Sequence, residues 1–151
     1  MSIPMNYSIN RHTIGGNNMT RSAAREQAFM LLFEKLFNPE VDCGKIYELA
    51  AECEVIEDND FTHGLFIKAD ENTPAIDEII KANLRQWKIE RISKVSLAVL
   101  RLAVCEIEYF DDIPVGATIN EAVELCKKYA GEDEYIFVNG VLGSYSRSKQ
   151  K

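Results

Sequence analysis

Apolar positions along this chain repeat at the spacing of helices from residue 21 almost to the C-terminus. Residues 21–37 place Ala24, Ala28, Leu31, Leu32 and Phe33 near one face, with Thr20 or Ser22 as the candidate N-cap. Asn38-Pro39 ends this helix, because the residue before a proline avoids the α region. Ile46, Leu49, Ala50 and Cys53 form an i, i+3, i+4, i+7 stripe and predict a second, shorter helix. Asp58-Asn59-Asp60 offers caps for a third, carrying Phe61, Leu65 and Ile67. At Thr73-Pro74 a capping hydroxyl precedes proline at the first helical position. Ile76, Ile79, Ile80, Leu84 (or Asn83) and Trp87 then follow at helical spacing.

Residues 93–110 are apolar almost all round between Val95 and Cys105, which predicts a helix at the centre of a bundle. Thr118-x-x-Glu121 has the form of a capping box. Ile119, Ala122, Val123, Cys126 and Tyr129 follow on one face, and Gly131 supplies a stop. The last segment admits two structures. Tyr135 to Val138, then Asn139-Gly140, then Val141-Leu142 is the pattern of a two-residue β-hairpin. The same residues fit a helix capped by Asp133, with Phe137, Val138, Val141, Leu142 and Tyr145 on one face. Local rules slightly favour the hairpin, whereas an all-helical context offers it no sheet to join.

Length and composition narrow the class. At 151 residues, 46% hydrophobic and 27% charged, the chain is one globular domain with a core large enough to fold without a metal or a staple. No apolar run approaches the ~20 residues of a membrane span, and the N-terminus lacks a basic-then-apolar signal, so a cytoplasmic protein is expected. Residues 1–18 are polar and rich in Asn and Gly, and read as a disordered extension. Met19 opens what looks like a natural protein start, and residues 19–148 form the expected single domain.

Charge is segregated. The net charge of −7 argues alone against a nucleic-acid partner. Yet residues 31–80 hold 13 acidic against 3 basic side chains, while residues 81–101 carry Lys81, Arg85, Lys88, Arg91, Lys94 and Arg101 against Glu90 alone. Arg11, Arg21 and Arg25 stand near the start and Arg147, Lys149 and Lys151 near the end. Such segments form either a phosphate-binding stripe or a set of solvated helix faces.

Catalytic constellations are missing. Cys43, Cys53, Cys105 and Cys126 include no C-x-x-C pair, His12 and His63 lie far from a ligand cluster, and each thiol sits among apolar residues, as a buried one would. Asp58 and Asp60 begin like a calcium loop, but His63 and Ala69 occupy positions that need Gly and Glu. Glu106 and Glu108 diverge on a helix and cannot work as an acid–base pair. Arg101, a cation in the most apolar helix, must pair with a carboxylate or reach the surface, and Glu121 and Glu124 are candidate partners. No enzyme activity, metal or cofactor is expected.

Arg21-x-x-Ala24-Arg25-Glu26-x-Ala28 opens the first helix, and Leu100-Arg101-Leu102-Ala103 lies at the centre of residues 92–106. Pro114, Ile119-Asn120-Glu121-Ala122-Val123-Glu124-Leu125, Lys128-Tyr129 and Phe137-Val138-Asn139-Gly140-Val141-Leu142 follow in order. Together these stretches resemble the NusB family of bacterial transcription antitermination factors. The resemblance covers residues 19–145, and its two C-terminal motifs are the specific ones. It implies an all-α fold of about seven helices in two small sub-bundles, with the Asn139-Gly140 segment helical. It also implies binding of the boxA element of nascent ribosomal RNA together with NusE, a small-subunit ribosomal protein. The pair joins an RNA polymerase complex that resists premature termination, and the free protein is open to homodimer formation.

Carried over by residue, the resemblance makes Arg21 and Arg25 phosphate contacts, and assigns Asp133 and Phe137 to RNA binding. A Phe137 ring stacked on an unpaired base would contribute ~1–3 kcal/mol. Phe33 takes either an RNA-proximal or a core position, and a core contact is equally open to Phe137. Arg101, Thr118, Glu121, Asn139 and Gly140 are expected in structural roles. Ser22-Ala23 stands where the family has further arginines, Cys105 where an aromatic is common, and Gly143 where an acid often follows, so the last helix is expected to fray at Gly143. The rival reading is a NusB-like protein-interaction module without boxA specificity, as in the accessory domain of ribosomal RNA cytosine methyltransferases.

Overall fold

The computed structural model describes residues 19–85, 88–131 and 133–149. The expectations for residues 1–18 and for Trp87 fall outside these residues. Seven α-helices and one short 3-10 turn, Ile89–Arg91, make up the described chain. The helices are α1 Arg21–Phe37, α2 Cys43–Glu52, α3 Asp60–Glu71, α4 Thr73–Ala82, α5 Lys94–Tyr109, α6 Val115–Tyr129 and α7 Glu134–Lys149. The all-helical expectation holds, and Asn139-Gly140 lies inside α7 rather than in a hairpin turn. The chain divides into two compact units, residues 1–67 and 68–151, with the division inside α3.

In the first unit, Thr20 caps α1 by accepting from the Ala23 amide at 3.0 Å. The helix ends at Asn38, whose backbone N–H returns to the Glu34 and Lys35 carbonyls. The Gln27 side chain donates to the Glu57 carbonyl at 2.9 Å and accepts from the Glu57 amide at 2.7 Å. Thr62 donates to the Ala24 carbonyl at 2.9 Å, and these bonds fasten the start of α3 to α1. Asn59 caps α3 by accepting from the Thr62 amide at 3.0 Å. The α2 stripe is rotated from its expected phase. Cys43, Ile46, Tyr47, Ala50 and Ala51 are buried, whereas Leu49 is 44% exposed and Cys53 is also exposed. Tyr47 faces inward because its hydroxyl donates to Asp58, so the ring is buried while the polar tip stays satisfied.

In the second unit α5 is the central helix and packs against α4, α6 and α7. Ser93 caps it, and its residues 98–107 are buried apart from half-exposed Arg101. Arg101 turns to α4, where Nε and Nη2 donate to the two carboxylate oxygens of Asp77 at 2.9 and 2.8 Å. The expected partners, Glu121 and Glu124, are not used. An acid one helix earlier in the chain offers the fork-to-fork geometry that a guanidinium favours.

Two expected caps move. Thr73 is the first residue of α4 and donates back to the Ala69 and Asp70 carbonyls, closing the end of α3, while Asn72 is the N-cap. Helix α4 stops at Ala82. Thr118 lies one turn inside α6, because Pro114 already occupies the N-cap position. Its hydroxyl donates at 3.0 Å to Glu106, a carboxylate only 1% exposed. Thr118 and Glu121 are therefore not a capping box. Helix α7 runs through Gly143 without a break to Lys149.

Candidate nucleic-acid interface

The first unit places Arg21 at the first turn of α1, exposed, with its guanidinium carbon 4.2 Å from the centre of the Phe61 ring. Stacking occupies the guanidinium face and leaves its N–H edge free to donate. Arg25, one turn on, is only 5% exposed and lies 5.6 Å from the same ring. Of the two arginines expected at phosphates, Arg21 is thus exposed and Arg25 is buried. Burial of Arg25 follows from its place on the same side of α1 as Ala24, Ala28 and Leu32. Phe61, half-buried at the start of α3, serves as a platform for Arg21.

Phe33 is half-buried in a ladder at i, i+4 spacing along α1. It stacks on Phe29 at 6.1 Å between ring centres and meets Phe37 edge-on at 5.0 Å. Phe29 is buried and Phe37 is 56% exposed, so the ladder leads from the core to the surface.

In the second unit Phe137 is half-exposed on α7 and borders two clefts. One, of about 360 Å³, has Asn83, Arg85, Ile136, Gly140 and Arg147 on its walls. The other, of about 310 Å³, is bounded by Arg91, Ser93, Ser96, Asp133 and Glu134. The structure therefore brings Asp133 and Phe137 to one surface. It adds Arg85 and Arg91, from the basic stretch 81–101, together with Arg147. Charge segregation signalled these arginines, but only the fold shows that they flank an aromatic.

Electrostatics differ between the clefts. Beside the second, the Ser93 and Ser96 hydroxyls both donate to Glu134 Oε1 at 2.5 Å. Its charge sits at the N-terminus of α5, where the helix dipole favours an anion. Asp133 remains exposed just before α7. Behind this wall, burial pushes the Cys126 thiol above its usual pKa, partly offset by its contact with Ser96 and reinforced by Glu134. Burial likewise pushes the Cys105 thiol up to about 12, with Glu106 adding to the shift. Cys43, Cys105 and Cys126 are buried and unreactive in kind, but Cys53 is exposed, against expectation.

Asn139 and Gly140 are both exposed on α7, and Glu121 is half-buried on α6. Among the described residues no cluster of His, Cys, Asp and Glu could hold a metal ion, and no helix is long and apolar enough to cross a membrane.

The NusB family model matches residues 22–147. This chain belongs to the NusB family. The transcription antitermination protein NusB of Ruminiclostridium cellulolyticum is 43% identical over 131 residues, spanning 85% of this chain and 90% of that relative. Among solved structures, a chain in a crystal structure of a plectonemic RNA supercoil superposes with a TM-score of 0.78 at 30% identity, covering 87% of this chain and 96% of its own. A crystal structure of antitermination factors NusB and NusE in complex with dsRNA gives a TM-score of 0.76 at 28% identity, covering 96% and 99%. Membership of the NusB family thus rests on nearly the whole helical chain, not on the C-terminal motifs alone.

Proposed function

We propose that this NusB-family chain is a non-enzymatic, cytoplasmic transcription antitermination factor. It binds the boxA element of nascent ribosomal RNA together with NusE and acts within the RNA polymerase complex. The observation that carries the reading is the half-exposed Phe137, bordered by arginines in a chain of net charge −7. A partly exposed ring beside arginines is what a single-stranded base and its phosphates require. The NusB relative solved with NusE and dsRNA supports both partners.

Within this reading Arg21 contacts phosphate with its free N–H edge, and Arg25 acts through the Phe61 platform rather than by direct contact. Phe137 stacks on a base, and Asp133 accepts from an exocyclic amine or a ribose hydroxyl beside it. Phe33 stiffens the surface of α1 next to its exposed neighbour Phe37. Residues 19–148 act as one functional domain. The test is transcription in vitro through a terminator placed downstream of a boxA leader, with NusE and the other Nus factors present. Read-through that rises when this protein is added, and falls when boxA is scrambled, is the expected result. Read-through independent of boxA would leave an interaction module and refute the reading.

A further inference from the structure

The larger cleft beside Phe137 has properties that the family assignment does not explain. Its cations come from two places far apart in the chain, Arg85 beyond the end of α4 and Arg147 in the last turn of α7. No carboxylate is among the described residues that line it, in a chain with 24 acidic side chains. Lys45, Lys81, Arg101, Lys127 and Lys149 each have an acidic partner. Arg85 and Arg147 have no ion-pair partner among the described residues.

The walls that carry these arginines are tied together. Asn83 Nδ2 donates to the Ile79 carbonyl at 2.8 Å, completing the end of α4. Its Oδ1 accepts from the Ser144 hydroxyl of α7 at 2.7 Å. The residue two before Arg85 is thereby bonded to the residue three before Arg147. Gly143 contributes as well. A Cβ built there would stand 3.2 Å from an Arg147 terminal nitrogen, so the guanidinium rests against bare helix backbone. The cleft's remaining surface is apolar: Phe137 and the 61% exposed Ile136.

We propose that this cleft is a nucleotide subsite for single-stranded RNA, in which Arg85 and Arg147 together hold one phosphodiester and Phe137 with Ile136 receives the adjoining base. The inference rests on the RNA-binding reading above and deepens it by assigning the phosphate to Arg85 and Arg147. Two guanidinium groups on the walls of one cleft, with no acid among its described lining residues, suit a phosphate. The apolar end suits the face of a base, which stacks without regard to sequence. The subsite therefore adds affinity and register, while sequence selection resides elsewhere.

The test uses the complex of the full chain with NusE and boxA RNA. Arg85→Gln and Arg147→Gln are each expected to weaken binding roughly threefold, and the double variant roughly tenfold. The salt slope of the double variant should fall by about 0.7, one single-strand phosphate contact, with the thermal midpoint unchanged. A scan of RNAs carrying one uncharged methylphosphonate linkage locates the contact. One linkage should weaken wild-type binding and have no further effect in the double variant. Gly143→Ala, which displaces Arg147 without removing its charge, should give part of the loss. Wild-type affinity and slope in the double variant would overturn the subsite while leaving the RNA-binding reading intact. A loss confined to NusE capture would overturn it in favour of an acidic protein segment. Failure of the wild-type protein to bind RNA at all would overturn both.

Discussion

Replacing Phe137 separates a binding surface from a core position, because the two roles predict opposite pairs of outcomes. The ring is half-exposed, while its α7 neighbours Val138, Val141 and Leu142 are buried. Truncating a fully buried Phe to Ala costs about 3–5 kcal/mol, so a half-buried ring should cost about 2 kcal/mol. Loss of base stacking should cost binding about 1–3 kcal/mol, a factor of roughly 5 to 160 in Kd. Phe137→Leu divides the terms further. It keeps most of the apolar volume, with a stability cost below about 1.5 kcal/mol, but has no π face to offer a base. The assay is urea unfolding followed by circular dichroism, paired with anisotropy on boxA RNA in the presence of NusE. Phe137→Leu is expected to melt close to the wild type and to bind at least fivefold more weakly. Wild-type affinity in the leucine variant, with marked unfolding of the alanine variant, would make Phe137 a core residue and refute the stacking argument.

Arg21→Ala should lower the salt slope of RNA binding by about 0.7–0.9 and leave stability within about 0.5 kcal/mol, as measured by titration at several salt concentrations. Arg25→Ala should instead lower the unfolding midpoint, since it removes a buried side chain beside Phe61; an unchanged midpoint with a reduced slope would return Arg25 to direct phosphate contact. Asp77→Ala strands Arg101, whose side chain is 20% exposed, and should destabilise the protein by about 2–3 kcal/mol in urea unfolding, somewhat less than for a fully buried pair. Native thiol titration at pH 8 should label Cys53 alone, with Cys43, Cys105 and Cys126 reacting only after unfolding. The raised Cys105 pKa also fixes a sign. The unfolded chain ionises near pH 9 while the native thiol stays protonated to about 12, so this stabilising contribution is present below pH 9 and is lost as pH rises through that window. A stability profile that climbed between pH 9 and 11 would contradict it.

What the sequence made legible was local. The bounds of α1 follow from Thr20 and Asn38-Pro39, and the burial of α5 from its nearly continuous apolar run. The α2 face was misread because Tyr47 is amphipathic. Its burial depends on Asp58, which only the fold brings to the hydroxyl. Thr118-x-x-Glu121 has the letters of a capping box, but Pro114 starts the helix a turn earlier and releases Thr118 to satisfy buried Glu106. Asn139-Gly140 carries a hairpin signature that tertiary packing of Val138, Val141 and Leu142 overrides. At the candidate interface, Phe137 and Arg21 were reached through resemblance to the NusB family. Phe61 as a platform, and Arg85 and Arg147 as walls of one cleft, were not. Periodicity reports which residues share a helix face, not which side chains from separate helices converge.

Antitermination through boxA and NusE is tested most directly by fluorescence anisotropy on a short boxA RNA and a scrambled control, with and without NusE, at two salt concentrations. The account predicts selective binding to boxA that strengthens when NusE is added and weakens with salt by the phosphate contacts counted above. Equal, salt-labile binding to both RNAs, unaffected by NusE, would contradict it and leave only a basic surface on an acidic protein.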